Sequence, residues 1–274
     1  MLADLAFFSF VELTDASSHG AYNRWHQLDH RPENLALPGV AWGDRWARVA
    51  DPEAALSRGS AAGRTGSTTG ANSPKGADAL AGTDYVAMYW FRSPAEESVT
   101  AWNNLGEASF QWGRGPIIPG VRRPLLGFFR PVKGYAAPRV LVDPDVLPYR
   151  PNRGLHLTLT RYAEPHGLDT HSSFTWEDTR LIPELLNVDG VAGAWTFSFS
   201  HPQQHGTLPF TATFAEPPGG LRIRMLYLDE DPGTTAESVR KAERRLETAP
   251  DAPRDVGEVL FSSPLSTIIP WQDW

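Results

Sequence analysis

The chain has 274 residues, a net charge of −7 at pH 7, no cysteine, 10 Trp and 13 Phe. Without cysteine there are no disulfides, thiolate metal sites or cysteine nucleophiles, and an acidic balance with no basic stripe argues against a nucleic-acid partner. The length suits two domains, and the aromatic residues supply large pieces of buried area.

The first apolar run, residues 5–11, has no basic residues before it, follows Asp4 and runs into Glu12, so it reads as a strand and not as a secretory signal. No apolar run reaches the ~20 residues of a membrane span, so no membrane partner is expected. Lack of cysteine fits a reducing, cytoplasmic location. The pairs Arg122-Arg123 and Arg244-Arg245 are isolated and read as solvated surface.

In chain order, residues 5–13 (LAFFSFVEL) predict a strand. Ser17 or Ser18 can cap a helix that runs to about Asn34, where Pro32 ends it. Residues 39–49 predict a second strand, with Trp42, Asp44, Trp46 and Arg48 on one face by the two-residue period. Residues 51–82 are rich in Ala, Gly, Ser and Thr and read as a flexible insertion. A third strand is expected at 85–91, a helix from Pro94 to about Phe110, and a fourth strand at 121–130. This β-α-β-β-α-β order is that of the ferredoxin-like motif.

Residues 131–153 hold five Pro and read as an extended linker. The order then repeats, with strands expected at 155–163, 190–200, 221–228 and 257–262 and helices at about 172–187 and 234–248. The organisation is therefore a first half at 1–132, a linker at 133–153 and a degenerate second half at 154–274. Trp271 and Trp274 near the end suggest a tail docked on the body.

The repeat is visible in the residues themselves. With Trp25 placed on Trp176 and no gap, Pro32-Glu33 falls on Pro183-Glu184, Leu35 on Leu186, and Gly39-Val40-Ala41 on Gly190-Val191-Ala192. That is seven identities in seventeen positions, where about one is expected by chance. The same offset places strand 5–13 on 156–164. The shared residues read as scaffold: Trp25, Leu28, Pro32 and Leu35 lie on one helical face that packs on the sheet. Each four-stranded sheet has helices on one side, so two such sheets can close a barrel face to face around an enclosed site.

The segment from Trp25 to Trp46 resembles the EthD-like branch of the dimeric α+β barrel superfamily, whose members share W-x-x-x-x-H-x-P on the first helix, then P-G-V and an aromatic or Arg-bearing strand. Trp25, His30, Pro32, Pro38-Gly39-Val40 and Arg45 fill those places. The resemblance covers the first half. In the second half Leu181 replaces the histidine and Asp189 replaces the proline before glycine. It implies an α+β fold of two tandem ferredoxin-like repeats forming an intrachain dimeric α+β barrel. The superfamily includes cofactor-free monooxygenases, isomerases, cyclases, decarboxylases, heme enzymes and members without known activity, so it says little about the reaction.

His26, Asp29, His30 and Glu33 form one polar stripe. The second copy has Glu177, Arg180, Leu181 and Glu184 there. Both imidazoles are lost while the packing residues remain, which places function in the first half. Three readings compete. His30 is a general acid or base tuned by His26; or the pair binds a metal with Glu33 or Glu12 as third ligand; or both are structural or solvent-facing. Arg45 can hold a carboxylate or oxyanion, or simply form a surface ion pair. Tyr22, Trp42, Trp46 and Tyr89 are the candidate substrate-binding residues, and His156 and His171 read as structural or surface residues.

The favoured expectation is an enzyme with no cofactor and no metal, of isomerase, cyclase, lyase or decarboxylase type, acting on a small hydrophobic cyclic or aromatic carbonyl compound through His30, His26 and Arg45. Two alternatives stand beside it: a non-catalytic small-molecule-binding or structural protein, and a metal- or heme-dependent oxidoreductase or monooxygenase of the same superfamily. The sequence leaves a homodimer through the outer surfaces open.

Overall fold

The computed structural model describes residues 3–49, 77–115, 117–203, 216–254 and 256–272. Most of the expected insertion at 51–82 lies outside them; Ala77–Leu80 forms one helical turn.

The first half comprises β1 (Leu5–Leu13), a long helix α1, β2 (Val40–Arg48), β3 (Tyr85–Phe91), α2 (Ala95–Gln111) and β4 (Val121–Ala136). The second comprises β5 (Gly154–Arg161), α3, β6 (Val191–Pro202), β7 (Leu221–Leu228), α4 (Pro232–Glu247) and β8 (Glu258–Thr267). The strands form one closed antiparallel barrel in the order β1-β3-β2-β8-β5-β7-β6-β4. Within it each half keeps the ferredoxin-like order, and the seams join β2 to β8 and β4 to β6.

The seams are unequal. β2 and β8 pair only from Trp46↔Thr267 to Arg48↔Leu265, whereas β4 and β6 pair from Gly127↔Pro202 to Ala136↔Gly193. The long seam exists because residues 131–136 continue β4, where the prolines suggested a linker; Pro131 sits at an irregularity in that ladder, a place in a sheet that tolerates a missing N–H. A 3₁₀ turn, Pro144–Tyr149, follows. Strand β5 begins at Gly154, two residues earlier than the helix offset places it, so the β1–α1 and β5–α3 connections differ in length.

Alternation decides the layers. Phe8, Phe10, Val86, Met88, Trp90 and Phe129 of the first half point into the barrel and meet Leu157, Trp195, Phe197, Ile223, Met225 and Phe261 of the second in one buried cluster. Aromatic rings interlock across the halves: Phe8 with Phe197 at 5.0 Å, Phe10 with Phe261 at 5.3 Å and Trp90 with Trp195 at 5.3 Å between centroids. Among the described residues the barrel interior is thus a packed core, and the cavity described below lies outside it and not between the two sheets, where it was expected.

α1 and α3 share an unusual feature. α1 runs His19–Trp25, then a π-turn His26–His30, then Arg31–Leu35. α3 runs Leu168–Trp176, a π-turn Glu177–Leu181, then Ile182–Leu185. Pro32 and Pro183 therefore do not end their helices. Each proline lacks an N–H and crowds the carbonyl a turn back. The π-turn absorbs this, with the N–H of Arg31 donating to His26 O and that of Ile182 to Glu177 O, five residues back. The extra residue also rotates the helix face. Leu28 is 43 % exposed instead of packing on the sheet, and the polar stripe turns inward. Near the chain's end Ile268 is buried and Trp271 exposed, while Trp274, the other tryptophan of the expected docked tail, lies outside the described residues.

Because both halves fill one core, they should unfold together. Phe197→Ala is expected to lower stability by about 3–5 kcal/mol and to leave a single denaturant transition by fluorescence and circular dichroism. Two separable transitions would contradict the shared core.

Candidate functional site

A cavity of about 150 Å³ lies in the first half, between α1, α2 and the outer face of the sheet. β1 lines it with Phe7 and Ser9, β3 with Ala87 and Tyr89, and β4 with Leu126. α1 contributes Tyr22, Trp25, His26, His30 and Asn34, while α2 contributes Trp102, Gly106, Ser109 and Phe110. Small residues on the sheet make the room. Ala87 sits in the ladder between Ser9 and Arg45. In the second half the same place, between Thr158 and Thr196, is taken by Arg224.

That substitution closes the second site. Glu177, which occupies the place of His26, receives Arg222 Nε at 2.6 Å and Arg224 Nη1 at 3.3 Å, and Arg224 also pairs with Glu243. An ion network thus fills the space that is open in the first half. One copy has a hollow with imidazoles, and the other has buried ion pairs.

The imidazoles are held in place by rings. His30 stacks on Trp25 at 4.7 Å, meets His26 edge-on at 5.2 Å and faces the edge of Tyr89 at 6.3 Å. Tyr89 can lie across β2 because its ladder partner is Gly43, where a Cβ would come within 2.2 Å of the ring. Burial and then the charge of Arg45 hold His26 well below the usual imidazole range. Burial and then Arg123 pull His30 down to about 4, against the weaker pull of Asp29. Both rings are therefore neutral near pH 7. His26 Nδ1 is buried with no hydrogen bond, although the Gln27 amide is near enough to favour its charged form slightly. Burial raises the Tyr89 hydroxyl, which stays protonated.

The mouth is tied shut by charge. Arg114, in the turn after α2, bonds Asp29 and, at 2.7 Å, Glu33; Ser109 donates to Glu33 at 2.6 Å, and Trp25 Nε1 donates to Arg114 O at 3.1 Å. Among the described residues no group of three His, Asp or Glu side chains can hold a metal ion. Glu33 is engaged as above, and Glu12 lies beside Arg122 at 3.5 Å.

Of the residues singled out from sequence, His26, His30, Tyr22 and Tyr89 line the cavity, as do Trp25, Asp29 and Glu33, whereas Arg45, Trp42 and Trp46 do not. Arg45 is fully buried, not on the surface. Its guanidinium donates to Asn23 at 2.5 Å and lies over the rings of Tyr85 and Tyr22 at 4.6 and 4.9 Å. Trp46 is in the barrel core, and Trp42 packs on Tyr149 at 5.4 Å beside it. His156 is buried in the second half and His171 is exposed.

Arg123 was missed. Read from sequence as surface, it is half-buried and lines the cavity. The β1·β4 ladder passes from Phe10↔Leu125 to Glu12↔Arg122, leaving an extra residue in β4 at Arg123-Pro124. This bulge re-aims the arginine, and a proline inside a strand was its signal.

No family model matches the sequence, and a search of curated proteins gives no match. Solved structures do match in fold. A variant of DypB in complex with manganese is 10% identical, with 97% of this chain and 93% of that chain covered, at a TM-score of 0.51. A dye-decolorizing peroxidase from Bacteroides thetaiotaomicron VPI-5482 is 8% identical, covering 97% and 93%, at 0.49. An anthrone oxidase-like protein is 9% identical, covering 97% and 92%, at 0.48. The chain has the fold of a dimeric α+β barrel. Both sheets of this barrel come from one polypeptide, as the internal repeat required. No helix among the described residues is long and apolar enough to cross a membrane.

These matches correct the functional expectation. A DypB variant in complex with manganese shares this fold. The expectation of a cofactor-independent isomerase, cyclase, lyase or decarboxylase is therefore set aside. Heme is the group such a barrel brings to mind, and the cavity does not fit it. At about 150 Å³ it matches a site that takes a benzene-sized ring, whereas even drug-sized ligands need roughly 300 Å³ or more. A porphyrin requires α1 and α2 to part.

The neutral imidazoles make stability depend on pH. In the unfolded chain His30 titrates near 6.5 and in the fold at about 4, so the unfolded state binds more protons between these values. The stabilisation is complete above 6.5 and is lost as pH falls toward 4. His30→Gln should flatten the slope of unfolding free energy near pH 5 by roughly 1 kcal/mol per pH unit, measured by urea titration across that range. An unchanged slope would mean that His30 is protonated in the fold.

Proposed function

We propose that this chain is an oxidoreductase that holds a single-ring aromatic molecule in the first-half cavity and oxidises it, with His30 receiving the proton that leaves the substrate. The observation that supports this most is a pair of neutral, sheltered imidazoles in a benzene-sized, aromatic-walled hollow. Oxidising a phenol by one electron frees its hydroxyl proton, and an unprotonated imidazole within the cavity can take it. Trp25, Phe7 and Trp102 offer ring faces and edges to an aromatic guest. The ring is left as a phenoxyl radical and the electron passes to an oxidant from solution, either dioxygen, which becomes superoxide, or a peroxide, whose O–O bond breaks to give hydroxide and an oxyl radical. The class of chemistry is suggested by the oxidases and peroxidases that share the fold, and the substrate class by the cavity.

Within the fold, Trp25, His30, Pro32 and Pro38-Gly39-Val40 support a place in the EthD-like branch, and the cysteine-free composition supports a cytoplasmic location.

A second reading, binding without turnover, is favoured by the small cavity and by the lack of a three-ligand metal group among the described residues. One experiment separates the two. Oxygen and peroxide consumption are followed with catechol or hydroquinone while binding is measured by Trp fluorescence. The oxidoreductase reading expects phenol-dependent consumption, reduced by about 10²-fold or more in His30→Ala with binding largely kept. Binding with no consumption of either oxidant selects the second reading.

A further inference from the structure

The charges around the cavity are segregated. Its acidic members, Asp29 and Glu33, both converge on Arg114 at the mouth. Arg123, half-buried, lines the cavity from the sheet side, at the bulge in β4. No carboxylate of β1, β3 or β4 lines the hollow; the sheet contributes Phe7, Ser9, Ala87, Tyr89, Arg123 and Leu126. A second guanidinium, Arg45, lies buried behind the wall, close enough to act on both imidazoles. The inner end therefore combines positive potential, two neutral imidazoles able to donate a hydrogen bond, a protonated Tyr89 hydroxyl, and His26 with a buried ring nitrogen that makes no hydrogen bond. A guanidinium in a sheltered site favours an oxyanion by charge-assisted hydrogen bonding, which is stronger there than in water.

We infer that the cavity selects single-ring aromatic carboxylates, with the ring between Trp25 and the sheet and the carboxylate directed to Arg123 and the imidazoles. The inference rests on the assignment of this cavity as the ligand site and adds the charge and functional group of the ligand. At the mouth Arg114 pairs with both carboxylates and offsets one of their two charges. The second half differs: there Glu177 stands where His26 stands, and its carboxylate is already paired with Arg222 and Arg224.

The test uses the full chain and three probes of one shape: benzoate, benzamide and benzylamine. Dissociation constants come from Trp fluorescence and calorimetry at pH 7. Benzoate is expected to bind at least tenfold more tightly than benzamide, and benzylamine weakest. Arg123→Gln should abolish the preference for benzoate while leaving benzamide affinity within about twofold, and Arg123→Lys should restore part of it. Equal affinities for benzoate and benzamide in the wild-type protein overturn the inference but leave the ring-binding site intact. If none of the probes binds, the assignment of the cavity itself fails. The wild-type ratio decides the matter even where Arg123→Gln does not fold, since that comparison needs no variant. A benzoate preference that persists in folded Arg123→Gln also overturns the inference.

Discussion

The aromatic filling of the barrel is the constraint from which the rest follows. Two sheets closing face to face must bury their inner surfaces, and here they do so with interlocked rings from both halves. That packing leaves no hollow between the copies. A ligand site can then exist only where a helix layer stands off a sheet's outer face. It does so in the first half, where Ser9 and Ala87 are small and α1 turns its polar stripe inward.

Duplication explains why one copy can specialise. The scaffold of both halves needs the π-turn, the proline that provokes it, and the glycine that leads into the following strand. The proline and the glycine stayed identical between the copies, and the π-turn recurs although none of its five residues is shared. Positions facing the helix–sheet space are under no such demand once the barrel is closed. In the second half they became a buried ion network, whose partners must all remain because a single buried charge left alone is costly. In the first they became a lined cavity with neutral imidazoles.

Much of this was legible in the sequence. The repeat, the strand and helix order and the unequal distribution of histidine can be read from the letters, and they point to α1 of the first half. What could not be read has physical causes. The helix wheel placed Leu28 inside because it assumed a regular period through Pro32, and the π-turn breaks that period. β1, with LAFFSF, is apolar on both faces, so its sequence does not say which face meets a core and which a cavity. Arg45 resembles a surface residue by type, and its burial depends on Tyr22, Asn23 and Tyr85 arriving from other elements. Arg123 depends on a bulge that only Pro124 hinted at.

The account's central claim is the location of the site, on the outer face of one sheet. Ala87→Leu tests it most directly, since it adds bulk to that wall and leaves the barrel core untouched. Phenol binding to this variant, measured by fluorescence titration, should be lost or at least tenfold weaker, while thermal stability is kept. Unchanged phenol affinity in a folded Ala87→Leu protein would contradict the account and place the ligand elsewhere.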